Sequence, residues 1–84
     1  MKKSAELTQQ KYKQYSEVVE RELLAATAAY GPMNSPHEGY GIIKEEIDEF
    51  WDEVKRNNLT DARKEIIQVA AMCHRFLQDS EHWS

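Results

Sequence analysis

The sequence predicts an all-α protein, with a long N-terminal helix followed by an antiparallel helical hairpin. Apolar residues recur at alternating spacings of three and four through most of the 84 residues, which is the period of an amphipathic helix. The chain has only 3 Gly and 2 Pro, too few for the many tight turns of an all-β fold. We expect one domain, residues 1–84, whose thin core is enlarged by association into an oligomer.

The first helix is predicted over about residues 5–30. Its apolar stripe begins at Tyr12 and ends at Tyr30. Gly31 suits a left-handed cap, and the Pro32 that follows cannot continue a helix. About 26 residues rising 1.5 Å each give a helix of roughly 39 Å. Because this is long for so small a domain, we expect the helix to reach a second protomer.

The second helix is predicted over about residues 36–57. The segment 35–38 reads Ser-Pro-His-Glu, in which Ser caps the helix, Pro occupies the first helical position and Glu completes a capping box. Gly39 and Gly41 are unfavourable in the first turns of a helix. They indicate either close packing of another element or backbone that lies near a ligand.

The third helix is predicted over about residues 61–78, capped by Asn58 or Thr60 and followed by a polar tail. The turn between the second and third helices is short. Helices joined in this way are antiparallel neighbours.

Composition limits the classes of partner. The net charge of −4 disfavours binding to nucleic acid or to anionic membranes, because both require a basic surface. No apolar run approaches the ~20 residues of a membrane span. The single Cys73 excludes an intrachain disulfide and fits a reducing, cytoplasmic location. We expect Cys73 to lie in the core and His74 on the surface.

Acidic residues are crowded in the second helix, where six of the nine residues in the segment 45–53 are Asp or Glu. On a helical wheel, Glu46 and Glu49 lie along one edge of the apolar stripe. A turn centred near Asn57 places Glu49 level with Glu65 and Glu46 level with Gln68. Because carboxylates at this distance repel each other, a hard cation such as Mg²⁺ or Mn²⁺ is the natural ligand.

These motifs are similar to those of a known family. The E-E-x-x-E of residues 45–49 and the E-x-x-Q of residues 65–68 resemble the paired E-E-x-x-E and E-x-x-D signature of the MazG-like nucleoside triphosphate pyrophosphohydrolases. These enzymes belong to the all-α NTP pyrophosphatase superfamily. The resemblance covers about residues 35–78 and is greatest to short bacterial and phage members.

The resemblance implies Mg²⁺-dependent hydrolysis of a (deoxy)nucleoside triphosphate to the monophosphate and pyrophosphate, in house-cleaning or control of nucleotide pools. It implies metal ligands at Glu46, Glu49, Glu65 and Gln68, with Glu45 either as a candidate base or as a residue that supports the metal ligands from behind. Gln68 replaces the family's Asp, so it offers a neutral oxygen and cannot act as a base. Asp52 or Glu53 is a candidate source of the missing charge. The family's bundle is larger than three helices, which implies a homodimer or homotetramer.

Three further side chains are candidates for contact with substrate. Arg75 lies on the Gln68 side of the third helix, where it would reach a phosphate; the alternative is an ordinary surface arginine. Tyr40 and Trp51 are candidates for flanking a nucleobase, and the alternative for both is packing in the core or in a dimer.

Two other functions remain open at the level of sequence. The first is a catalytically inactive MazG-like protein that binds or regulates. The second is a helical oligomerisation module without a ligand. In that case the acidic residues form a solvated face, paired with Lys44, Lys55 or Lys64.

Overall fold

The computed structural model describes residues 2–84 as three helices, α1 (Lys2–Ala29), α2 (Pro36–Lys55) and α3 (Leu59–Ser80). No strand occurs in this range, so the predicted all-α class is confirmed. The helix α1 begins three residues earlier than predicted, α2 ends two residues earlier, and α3 gains two residues at each end. Throughout the described chain, each helix is either too short or too polar to cross a membrane.

The central helix is α3, which packs against both α2 and α1. Gly39, near the start of α2, touches the Phe76 ring near the end of α3. The 56–58 turn joins the opposite ends of the two helices. The hairpin is therefore antiparallel, as predicted.

The helix α1 runs parallel to α3. The guanidinium of Arg63 lies 5.8 Å from the centroid of the Tyr15 ring, and Arg75 donates a hydrogen bond to the carbonyl of Gly31. Residues 3–15 are exposed. A helix of 28 residues is about 42 Å long at 1.5 Å per residue, which equals the longest dimension of the protein, 42 Å.

The ends of α2 and α3 follow local chemistry. Ser35 has extended backbone, and its hydroxyl accepts from the backbone N–H of Glu38. Asn58 caps α3 by accepting from the backbone N–H of Asp61, and Asn57 before it takes a positive φ of 58°. The predicted left-handed cap at Gly31 is wrong, since no glycine has a positive φ. The Gly31 carbonyl instead accepts a hydrogen bond from Arg75 of α3.

The loop between α1 and α2 is held against the end of α3 by Met33. Its side chain is 2 % exposed. Its backbone N–H donates to Asp79 Oδ2 over 2.9 Å, and its carbonyl accepts from Trp83 Nε1 over 3.1 Å. Trp83 also meets the Phe76 ring edge-on, at a centroid distance of 4.9 Å. The segment predicted to be a polar tail therefore closes the core.

The buried core is small. Its centre consists of Ala26, Met33, Ala71 and Met72. Cys73 is exposed, so its predicted core position is wrong. The reason is that α1 and α2 cover two sides of α3 and leave the side that carries Cys73 uncovered.

Candidate metal centre and adjoining cleft

Three carboxylates converge where α2 crosses the middle of α3. One oxygen from each of Glu46, Glu49 and Glu65 lies within 4.8 Å of the other two. The 3-residue spacing in α2 puts its two acids on one face, and the short turn sets them level with Glu65. Oxygens bound to Mg²⁺ at about 2.1 Å lie at most about 4.2 Å apart. Small rotations of the side chains would therefore bring all three oxygens to one ion.

The triad is electrostatically unsatisfied. Glu46 Oε2 and Glu65 Oε2 are buried, and neither has a hydrogen-bond partner within residues 2–84. Burial, and then the charges of Glu49 and Glu65, raise the pKa of Glu46 to about 7. Burial, and then the charge of Glu49, raise the pKa of Glu65. A buried carboxylate without a donor or counter-ion is unfavourable, and a cation removes both costs.

The lysines that would neutralise an ordinary acidic face bind elsewhere. Lys44 pairs with Asp48, Lys55 with Asp52 and Lys64 with Asp61, at N–O distances of 3.0, 3.3 and 3.7 Å. None of the ion pairs in the described chain includes a member of the triad. The predicted pairing of these lysines with the triad is therefore wrong.

The two acids proposed as sources of extra charge are already paired. Asp52 is exposed and binds Lys55. Glu53 binds Arg56 over 2.7 Å. Its charge also raises the pKa of Glu65, as a smaller cause than burial and the charge of Glu49. Of these two acids, Glu53 is therefore the one whose charge acts on Glu65.

A cleft of about 640 Å³ adjoins the triad, between α1 and α2 and above α3. Small-molecule sites commonly measure about 300–1,000 Å³. Its walls comprise Glu22 and Ala26 from α1, Ile42, Glu45 and Glu46 from α2, and Gln68, Met72 and Arg75 from α3. Glu45 and Gln68 thus border the same space as Glu46.

Arg75 is buried at the far end of this cleft. Its side chain is 5 % exposed, so the alternative of an ordinary surface arginine is wrong. One terminal nitrogen donates to the Gly31 carbonyl over 2.5 Å, and the other contacts the Met72 sulfur at 3.7 Å. No carboxylate among residues 2–84 forms an ion pair with it. A buried guanidinium of this kind has unused capacity for an anion or a polar ligand.

The two aromatic candidates lie away from the cleft. Tyr40 lines an apolar groove with Cys73 and Leu77, and Trp51 is exposed beside Lys55, whose ammonium lies 5.8 Å from the ring centroid. His37 and His74 are exposed. The structure therefore brings Arg75 to the cleft, and neither Tyr40 nor Trp51.

The sequence contained a signal for the wall contributed by α1. Glu22 follows Val19 by three residues and precedes Ala26 by four, so an acid occupies the apolar stripe of α1. An acid at such a position indicates a polar opening beside the core. Tyr30 and Asn34 also line the cleft. Their positions depend on the path of the loop between α1 and α2, which no sequence pattern indicates.

Comparison of the chain with protein-family models, with curated proteins and with solved structures gives no match.

Proposed function

We propose that this protein is a Mg²⁺-dependent nucleoside triphosphate pyrophosphohydrolase of the MazG-like type. The observation that supports the proposal is the convergence of Glu46, Glu49 and Glu65, two of which bury an oxygen without a partner in the described chain. An acidic site of this kind would repel a triphosphate unless a cation lay between them. Mg²⁺ or Mn²⁺ suits three carboxylates and an amide oxygen.

Each side chain has a defined part in the proposed reaction. Glu46, Glu49 and Glu65 would hold the cation, and the Gln68 amide would offer a fourth oxygen. When bound there, the cation would supply charge neutralisation and activation of water. Glu45 accepts the proton as the water oxygen bonds to the α-phosphorus. The bond from the α-phosphorus to the bridging oxygen breaks, which releases the monophosphate and pyrophosphate.

The cleft supplies the remainder of the proposed substrate site. Its apolar walls at Ala26, Ile42 and Met72 suit a nucleobase or sugar, and the guanidinium of Arg75, which binds the Gly31 carbonyl, borders the far end. Gln68 and Arg75 are seven residues apart on one face of α3, about 10.5 Å along its axis. A substrate whose phosphates lay at the triad would therefore extend along the cleft towards Arg75.

The direct test is Mg²⁺-dependent release of pyrophosphate from each nucleoside triphosphate and deoxynucleoside triphosphate. We expect Glu49→Gln and Glu65→Gln to lower kcat/KM on the order of 100-fold or more, because a metal contributes several kcal/mol to the transition state. Asp48→Asn is the matched control, since Asp48 is exposed and pairs only with Lys44. Activity that survives both Glu→Gln exchanges would contradict the proposed site.

The second candidate function is a catalytically inactive MazG-like protein that binds nucleotides. Gln68 favours it, because this neutral residue borders the cleft where the family signature has an acid. A ligand that binds only the native state raises the melting temperature by mass action. Stabilisation by Mg²⁺ with a nonhydrolysable nucleotide, without any turnover, would identify this alternative. An oligomerisation module would show neither effect.

We further propose that the protein acts as a homodimer or homotetramer in the cytoplasm. The small buried core supports assembly, since a chain of this length gains stability by association. The single exposed thiol of Cys73 suits a reducing compartment. The solution mass and the location of the expressed protein test these two statements.

A further inference from the structure

The loop of residues 31–34, which joins α1 to α2, forms one wall of the cleft. Gly31, Pro32 and Asn34 border the cleft directly. Met33 instead belongs to the buried core. The loop therefore has one side against the core and one side in the cleft, and its position sets the shape of the cleft on this side.

Side chains, and not backbone pairing, hold this loop in place. Within the described chain, no backbone group of the loop bonds to another backbone group. Arg75 donates to the Gly31 carbonyl. Asp79 Oδ2 accepts from the N–H of Met33 over 2.9 Å, and Trp83 Nε1 donates to the carbonyl of the same residue over 3.1 Å. The loop is therefore only as rigid as these three contacts.

Asp79 and Trp83 bind the two backbone polar groups of a single residue, Met33, and we call this pair the clamp. Both side chains are half-buried. The indole meets the Phe76 ring edge-on, and Phe76 in turn packs closely over Gly39 at the start of α2. Among the described residues that line the cleft, neither member of the clamp occurs.

This separation distinguishes the clamp from the third anchor of the loop. Arg75 borders the cleft, so its substitution would change the loop and the lining together. Substitution of the clamp changes the loop alone. A wall that is fixed before binding loses less conformational entropy when a ligand binds, whereas a loop released from the clamp must be ordered by the ligand itself.

We propose that Asp79 and Trp83 are positioning residues for ligand binding, which act through Met33 to hold the 31–34 loop as a wall of the cleft. The ligand class, a nucleoside triphosphate with Mg²⁺, rests on the proposed function. Because coupling between two events is reciprocal, a ligand in the cleft must also strengthen the clamp.

The first test measures affinity by calorimetry, with Mg²⁺ and the α,β-methylene analogue of a deoxynucleoside triphosphate, each base in turn. Asp79→Ala removes the acceptor of the Met33 N–H. Trp83→Phe keeps a ring beside Phe76 but removes the donor to the Met33 carbonyl. Each variant should raise Kd roughly three- to tenfold, the range that one hydrogen bond covers. KM should rise similarly with kcat nearly unchanged, because the lost interaction acts equally on substrate and transition state.

Matched variants separate the clamp from general effects on the fold. Asp79→Asn keeps an acceptor oxygen and should restore the affinity. Glu81→Ala is the control for Asp79→Ala, because Glu81 is exposed two residues away. Trp51→Phe is the control for Trp83→Phe, because Trp51 is exposed on α2 and outside the cleft. Circular dichroism verifies that every variant is helical at the temperature of the measurement.

The second test measures the reciprocal effect by fluorescence. The chain has 2 Trp, so Trp51→Phe leaves Trp83 as the only one. Addition of Mg²⁺ with the analogue should lower the quenching of Trp83 by acrylamide, although this side chain lies outside the cleft. A tryptophan that only stabilises the fold would keep the same quenching.

The outcomes distinguish this proposal from the proposed function. If the unaltered protein binds the analogue, and the clamp variants bind it equally well, the clamp does not position the wall and the proposed function stands. Affinity that falls as far in Asp79→Asn as in Asp79→Ala would also overturn the proposal, because the acceptor for Met33 would then not be the cause. A protein that binds none of the analogues contradicts the proposed function and overturns this inference with it.

Discussion

Glu46 of α2 and Glu65 of α3 face each other across the hairpin, and each buries one carboxylate oxygen that no donor in residues 2–84 satisfies. Both have a raised pKa, chiefly through burial. The pair therefore lowers the stability of the metal-free protein whenever both groups are ionised. Binding of a cation or of a proton removes this cost. The first prediction concerns protonation, through the pH dependence of stability.

The stability of the metal-free protein should fall as the pH rises through the window from 4.5 to about 7. These are the ordinary pKa of Glu46 and its value in the folded protein. Within this window the folded state binds more protons than the unfolded state, so the free energy of unfolding decreases with pH. A shift of this size corresponds to roughly 3 kcal/mol, and screening by solvent reduces the expected loss to about 1 kcal/mol.

Urea unfolding at about pH 5 and about pH 8 measures this loss. Glu46→Gln should flatten the pH dependence, and Mg²⁺ should restore stability at the higher pH by neutralising the ionised carboxylates. Asp48→Asn is a matched control on the same helix, because Asp48 is exposed and pairs with Lys44. A pH dependence that is unchanged in Glu46→Gln would show that another group is responsible.

The hairpin and the triad could be predicted because both depend on local spacing. A short turn fixes which residues of two antiparallel helices lie side by side. The meeting of Glu49 and Glu65 can therefore be predicted without knowledge of the rest of the fold. The environment of Arg75 could not be predicted in this way. It is buried because the loop that carries Gly31 and Met33 folds onto α3, and no periodic pattern describes that path.

Cys73 shows a second limit of sequence patterns. A helical wheel identifies which residues of α3 share a face, but it does not identify which faces are covered. Cys73 shares its side of the helix with Ile66 and Leu77, which the wheel assigns to the core and the structure exposes. An apolar stripe has the same appearance whether it is buried within one chain or between two.

The second prediction concerns close packing at Gly39. A Cβ atom at this position would lie 2.6 Å from Cδ2 of Phe76 and 3.2 Å from the Met33 sulfur. We expect Gly39→Ala to destabilise the protein by about 1–3 kcal/mol, since overpacking displaces side chains. Gly41→Ala is the matched control. It meets nothing within 4 Å, and the better helix propensity of Ala should stabilise α2 by about 0.5–1 kcal/mol.

Thermal or urea denaturation of the two glycine variants distinguishes packing from a backbone contact with ligand. If Gly39→Ala unfolds at the same denaturant concentration as Gly41→Ala, Phe76 and Met33 do not constrain the position. Loss of ligand binding without loss of stability would instead support the alternative interpretation of Gly39, backbone that lies near a ligand.

The third prediction concerns the buried guanidinium of Arg75. Arg75→Met leaves the Gly31 carbonyl without its donor, and hydrogen bonds to charged groups contribute about 1.5–3 kcal/mol. We expect a loss of stability of about 2 kcal/mol, measured by urea unfolding. Arg21→Met is the control because Arg21 is exposed. If Arg75 also contacts the substrate, Arg75→Lys should raise KM with little change in kcat; an unchanged KM would assign it a structural role alone.

The fourth prediction tests Gln68, which differs from the acid of the MazG-like signature. Gln68→Asp adds a carboxylate where the cleft adjoins Glu46. Because the charge of the ligands sets affinity for hard cations, we expect Mg²⁺ to bind roughly tenfold more tightly, as measured by calorimetry. The metal-free variant should be less stable, since a further like charge joins the triad. Gln78→Asp makes the same exchange at an exposed position of α3 and should leave the affinity for Mg²⁺ unchanged. If Gln68→Asp leaves Mg²⁺ affinity unchanged while Glu49→Gln weakens it, the triad binds the cation without a ligand at position 68.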